Sequence, residues 1–372
     1  MSKIDIILQE FREIAEDPAG AVIRWESETG KGAVGILPVY VPEELVHATG
    51  LLPVGIWGGH VEISEARAYL PAFACSIMQS IMELELKGIY NNLKAVVIPS
   101  PCDTLKCFGQ KWKGTCPAIQ FVQPQNRVLE SSNEFLVEEY RVLRAKLESA
   151  TGVTITDQAV EHSIYVYNEN RRACRQFTEL AAAHPDLISP ADRHAVIKAR
   201  YFMEKSAHTS RLMALNALLE KEPEKPWTGK KVVLSGITAE PYALLDIFAE
   251  NGFAVAADDL AQESRQFSHD VPDGENPLYR LAKWWQTLDC SLATDRSKGR
   301  IQKLADLVKE KHADAMVVCM MKFCDPEEFD YPLIAKKMQE ENIPLLYLEI
   351  DQEASSFEQA RTRIQSFAET LQ

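Results

Sequence analysis

The chain has 372 residues and a formal net charge of −14, with 46% hydrophobic and 25% charged residues. That size and composition suit two or three globular domains with more than one apolar core. No block of clustered Lys and Arg is present to track a phosphate backbone, which argues against nucleic-acid binding and leaves room only for a local basic pocket. No apolar run approaches the roughly 18 residues of a membrane span, so the chain reads as cytoplasmic.

The first 30 residues read as a helical arm. Residues 1–15 mix Asp5, Glu10, Arg12 and Glu13 with apolar positions, an amphipathic pattern unlike a signal peptide. Residues 31–127 read as a first α/β domain. Apolar runs at 33–37 and 52–57 flank a helical pattern that stops at Gly50, and a second β-α-β unit runs from 95–98 to 118–122. Between 128 and 226 strand runs vanish, and helical patterns punctuated by Pro185 and Pro190 take over. Residues 227–372 read as a second α/β domain, with strands at 231–236, 253–256, 315–318 and 344–350 and helices at 242–250 and 332–341. The two halves share a plan. The predicted fold is α/β: two doubly wound parallel-sheet domains of flavodoxin or Rossmann type, with helical N-terminal and connecting regions.

Eight cysteines are present and no C-x-x-C pair, so compact ferredoxin and zinc-ribbon spacings are absent. Cys102 and Cys324 each follow a predicted strand, at matching loops of the two halves. Ligands of open α/β sheets bind beyond such strand ends. Cys75 stands near the start of a helix predicted over 77–88, where free N–H groups favour an anionic sulfur. Asp103 and Asp325 are placed to cap the helices that follow. Cys116, Cys174 and Cys290 read as buried small hydrophobes, and Cys319 as strand core. Cys107 is open to either reading, and spacing alone leaves the three loop cysteines open between burial and metal binding. His47 and Glu43, four apart on one helix, read as a solvated or interface face. Glu263 and Arg265 read as a surface ion pair or as supports of the cleft.

The segments Pro71-Ala72-Phe73-Ala74-Cys75-Ser76, Cys102-Asp103-Thr104-Leu105 and Lys322-Phe323-Cys324-Asp325-Pro326-Glu327 resemble the cluster motifs of the 2-hydroxyacyl-CoA dehydratase D-component family. Further resemblance lies at Pro42-Glu43-Glu44-Leu45, Leu52-Pro53-Val54-Gly55 and Asp258-Asp259-Leu260, and it extends over nearly the whole chain. It is greatest to the β subunit, particularly of the 2-hydroxyisocaproyl-CoA type.

The resemblance implies one 4Fe-4S cluster held by Cys75, Cys102 and Cys324. It implies a homologous α subunit as heterodimer partner, on which the acyl-CoA substrate mainly sits, and an ATP-dependent iron–sulfur activator that injects an electron. The implied reaction is ketyl-radical elimination of water from an (R)-2-hydroxyacyl-CoA to give a 2-enoyl-CoA, an oxygen-sensitive lyase activity of anaerobic amino-acid fermentation. No acid–base catalyst is assigned to this chain. The alternative is a benzoyl-CoA reductase-like or double-cubane ATP-dependent reductase, in which Cys107 or Cys319 would join a larger cluster. Because ligands come from both halves, the cluster is expected to clamp the two domains together.

Overall fold

The computed structural model describes residues 2–288, 298–353 and 356–371. The arm forms two helices. α1 (Lys3–Glu16) opens with a capping box between Ser2 and Asp5, and α2 (Pro18–Thr29) opens with Pro18 and stops at Gly30, whose φ of 68° is left-handed. The first sheet unit runs β1 (Ala33–Ile36), α3 (Glu43–His47), β2 (Leu52–Gly55), α4 (Ser76–Leu86), β3 (Val96–Ser100), α5 (Asp103–Lys111) and β4 (Ala118–Val122). Four helices follow: α6 (Glu130–Thr151), α7 (Asp157–Ala183), α8 (Pro190–Ala199) and α9 (Lys205–Leu219). The second unit runs β5 (Lys230–Gly236), α10 (Tyr242–Glu250), β6 (Phe253–Leu260), α11 (Pro277–Thr287), α12 (Gly299–Glu310), β7 (Ala315–Met321), α13 (Asp325–Glu340), β8 (Leu345–Ile350) and α14 (Glu358–Thr370).

Both sheets are parallel and four-stranded. Their orders, β2-β1-β3-β4 and β6-β5-β7-β8, are the same pattern used twice. β3 and β7 therefore occupy equivalent places, next to the first strand of each unit. β7 is apolar along its length, and β3 is apolar up to Ser100 at its end, because helices cover both sheet faces. In β7 the period of two is explicit. Ala315, Val317, Cys319 and Met321 join a core that continues into the first sheet, while Met316, Val318 and Met320 face a separate cluster with α12 and α13. Cys319 thus points into packed core, as its strand position implied. Cys116 and Cys174 are buried too, at 7% and 0% exposure, whereas Cys290 lies outside the described residues.

Three sequence expectations need correction here. The helix placed at 332–341 begins instead at Asp325, because Asp325 and Pro326 supply an N-terminal acid and proline. Pro332 lies inside it. Glu43 and His47 do not form a solvated face. Glu43 is 5% exposed; Lys205 Nζ donates to it at 3.2 Å. His47 Nδ1 lies 2.8 Å from Ser163 Oγ. The i, i+4 spacing identified the face, but α7 and α9, distant in sequence, cover it. Nor are Glu263 and Arg265 a surface pair. Both are buried, Glu263 against Arg193 and His194, Arg265 against Asp259 and Glu327.

A cysteine-lined cavity between the two sheets

The three loop cysteines occupy the same structural position three times: Cys75 is the N-cap of α4, Cys102 of α5 and Cys324 of α13. Asp103 and Asp325, expected as caps, are the first helical residues instead. Cys102 follows the end of β3 and Cys324 the end of β7, the equivalent strands of the two sheets. All three line one cavity of about 560 Å³. Its walls are mostly apolar, including Ile77, Met78, Leu105, Met321 and Phe329. Cys107, exposed on α5, and Cys319, buried in β7, do not line it.

Local geometry sets each sulfur. Phe323 adopts a left-handed φ of 61°, an uncommon conformation for an aromatic residue and one that recurs at functional sites. The turn directs the Cys324 N–H to Met321 O at 3.0 Å. Cys75 is fixed from both sides. Behind it, Ser64, Glu65 and Ala66 donate backbone N–H groups to the Glu83 carboxylate at 2.9–3.0 Å. Ahead of it, Ser76 N–H donates across the cleft to Lys322 O at 3.2 Å, two residues before Cys324.

Burial would raise the Glu83 carboxyl, but the N–H groups of Ala66 and Ser64 outweigh it and hold the pKa at about 2. Its folded pKa is depressed, so the stabilisation is present above the usual value of 4.5 and is lost as pH falls through about 2. Glu83→Gln is expected to cost about 3 kcal/mol at neutral pH, because charge-assisted bonds become neutral or unmade. Denaturant unfolding at pH 7 and pH 3 measures this. A variant gap that fails to narrow at the lower pH contradicts the assignment.

Burial pushes the Cys75 thiol up to about 12, and nearby Cys102 and Asp325 add to the rise, while the Met78 N–H opposes it. Burial likewise raises Cys102, against the N–H groups of Leu105 and Thr104. Cys324 stands well above the usual thiol range through burial, the Glu327 charge and Cys75. Sulfur caps none of these helices with a hydrogen bond, yet first-turn N–H groups stand close enough to favour each thiolate. Such thiols stay protonated until a cation replaces their protons.

Among the described residues no three acidic, histidine or cysteine groups converge tightly enough to hold a single metal ion. An iron–sulfur cube makes a different demand, since its thiolates bind separate irons and stand further apart. Three sulfurs from three helix starts, in a mostly apolar cavity with N–H groups nearby, fit that demand. A second cavity, about 450 Å³ between α2, the end of β2 and the start of α10, contains no cysteine.

The fold and the cleft together define a two-domain α/β protein with a cysteine-lined cavity at the carboxyl ends of equivalent strands. The 2-hydroxyglutaryl-CoA dehydratase D-component family matches residues 38–371, and the chain belongs to that family. It is 54% identical to the lactoyl-CoA dehydratase subunit beta of Anaerotignum propionicum, over the whole of both chains. It is 41% identical to the (R)-phenyllactyl-CoA dehydratase beta subunit of Clostridium sporogenes, again over all of both. Identity is 37% to the (R)-2-hydroxyglutaryl-CoA dehydratase subunit beta of Acidaminococcus fermentans, covering 99% of this chain and 100% of the relative. No helix among the described residues is long and apolar enough to cross a membrane.

Proposed function

We propose that this chain is the β subunit of an oxygen-sensitive 2-hydroxyacyl-CoA dehydratase. On this reading Cys75, Cys102 and Cys324 hold a 4Fe-4S cluster, and the chain works with a homologous α subunit and an ATP-dependent activator to remove water from an (R)-2-hydroxyacyl-CoA. The observation that carries the reading is the meeting of three sequence-distant, helix-capping cysteines in one cavity. Full-length similarity to three dehydratase β subunits supports it.

The bound cluster supplies one-electron transfer. The chain's own residues supply the rest. Three sulfurs from both halves hold the cluster's irons, and first-turn N–H groups favour the thiolate form. Ile77, Met78, Leu105 and Met321 keep water from the sulfurs and lower the local dielectric. No side chain here is assigned proton transfer to or from substrate.

The deciding assay uses the chain purified anaerobically with its α partner, the activator, ATP and a panel of 2-hydroxyacyl-CoA esters. Enoyl-CoA formation that requires both subunits is expected, with about four irons and four sulfides on this chain. Full activity from this chain and activator alone would overturn the need for an α partner. Ring reduction of benzoyl-CoA without dehydration would replace the assignment with the reductase reading.

A further inference from the structure

A group of charges, buried except for Lys298, sits directly behind Cys324. Glu327, the third residue of α13, is 1% exposed. Arg265 Nη1 donates to its Oε1 at 3.0 Å and Arg300 Nη2 to its Oε2 at 3.0 Å. The same guanidiniums clasp Asp259. Arg265 reaches it through Nε at 3.2 Å and Nη2 at 2.9 Å, and Arg300 through Nε at 2.9 Å. Arg300 also lies 3.6 Å from Asp330. Lys298 Nζ donates to Asp330 at 2.6 Å, and both residues line the cysteine cavity. Three cations and three carboxylates therefore run as one chain from the cavity wall to the back of the Cys324 turn.

Two features set this group apart from ordinary scaffolding. A glutamate three residues after an N-cap commonly reaches back to cap the N-cap N–H. Here that N–H is already taken by Met321 O, and the carboxylate turns to the arginines instead. Desolvating so many ions is costly, and apolar replacements often stabilise a fold equally well. What apolar residues cannot provide is a fixed field in a low-dielectric site.

We propose that Glu327, clamped by Arg265 and Arg300, is a positioning residue that fixes the first turn of α13 beneath the Cys324 sulfur, and that with Lys298 it sets the reduction potential of the cluster. This rests on the cluster reading above. Reduction adds one negative charge. Glu327 disfavours that charge and Lys298 favours it, so removing each should move the potential in opposite directions.

The test is potentiometry of the anaerobically loaded full chain, followed by electron paramagnetic resonance, with iron content measured in parallel. Glu327→Gln is expected to raise the midpoint and Lys298→Met to lower it, at full iron content. Each should change the reduced-to-oxidised ratio at fixed potential by roughly tenfold, which is ~59 mV for one electron. Glu327→Asp, which keeps the charge, should lie near wild type. Lys298 is 36% exposed in its side chain, so its variant carries the test even if Glu327→Gln does not fold. Unmoved midpoints, or shifts of the same sign in both variants, would overturn the inference while leaving the cluster in place. A wild-type chain that binds no iron would overturn the cluster reading and this inference together.

Discussion

Cys75→Ala, Cys102→Ala and Cys324→Ala are each expected to remove most of the bound iron, whereas Cys107→Ala, Cys116→Ala and Cys174→Ala leave it in place. The first three sulfurs share one cavity and the others do not line it. Each substitution leaves two thiolates, contributed either by one half of the chain or by one from each, and two corners do not retain a four-iron cube. Cys290→Ala is also expected to keep its iron, from sequence alone. Cys319→Ala should lower stability by about 1–2 kcal/mol through lost packing in β7, with iron unchanged. Iron and sulfide per chain and the broad visible absorption of anaerobic protein provide the measurement. Air should bleach that absorption in wild type. Full iron in all three cavity variants would remove the ligand assignment, and iron loss in Cys319→Ala at unchanged fold would favour a larger cluster.

The sheets were legible because buried parallel strands announce themselves as β-branched runs between helical patterns. β4 and α10 fall where the sequence placed them, at 118–122 and 242–250. Cys102 and Cys324 were legible through the repeat, since equivalent strands must end at equivalent loops. Their role as N-caps was not, because Asp is the commoner cap and stands next to each of them. The partners of Glu43, Glu263, Arg265 and Glu327 were hidden for a physical reason. A buried ion pair leaves no periodic trace when its members come from α9, α8, α12 or α13, tens to hundreds of residues away. Composition alone makes such charges look like surface. The signal that pointed inward was the run Asp258-Asp259 at the end of an otherwise apolar strand, β6, where unpaired acids would be prohibitive.

The metal-free chain is expected to keep its cleft closed, contrary to the clamp role that ligand distribution alone implies. A single apolar core continues from one sheet into the other, and only part of it, such as Ile77, Leu105 and Met321, borders the cysteine cavity. A polar latch adds to it on the α4 side. Ser76 Oγ donates to Asp351 Oδ1 at 2.9 Å and accepts the Gln352 N–H at 2.7 Å. Gln352 Nε2 donates to Trp57 O at 3.1 Å, and its Oε1 accepts from Ser80 Oγ. Space there is tight. A Cβ on Gly58, at φ 75°, would meet Ser80 Oγ at 2.1 Å and Gln352 Oε1 at 2.4 Å. Removing iron should therefore free the three capping turns and leave the two sheets together. Limited proteolysis should show new cuts at the Cys324 turn and none at the 222–229 connection. Combining Ser76→Ala with Gln352→Ala should cost about 3–5 kcal/mol, since the Gln352 N–H, Trp57 O and Ser80 hydroxyl lose buried partners. Only in that variant should iron removal expose 222–229, because there the cluster becomes a principal tie across the cleft. Equal cutting at 222–229 in metal-free wild type and in the double variant would show that the cluster, and not the latch, holds the domains.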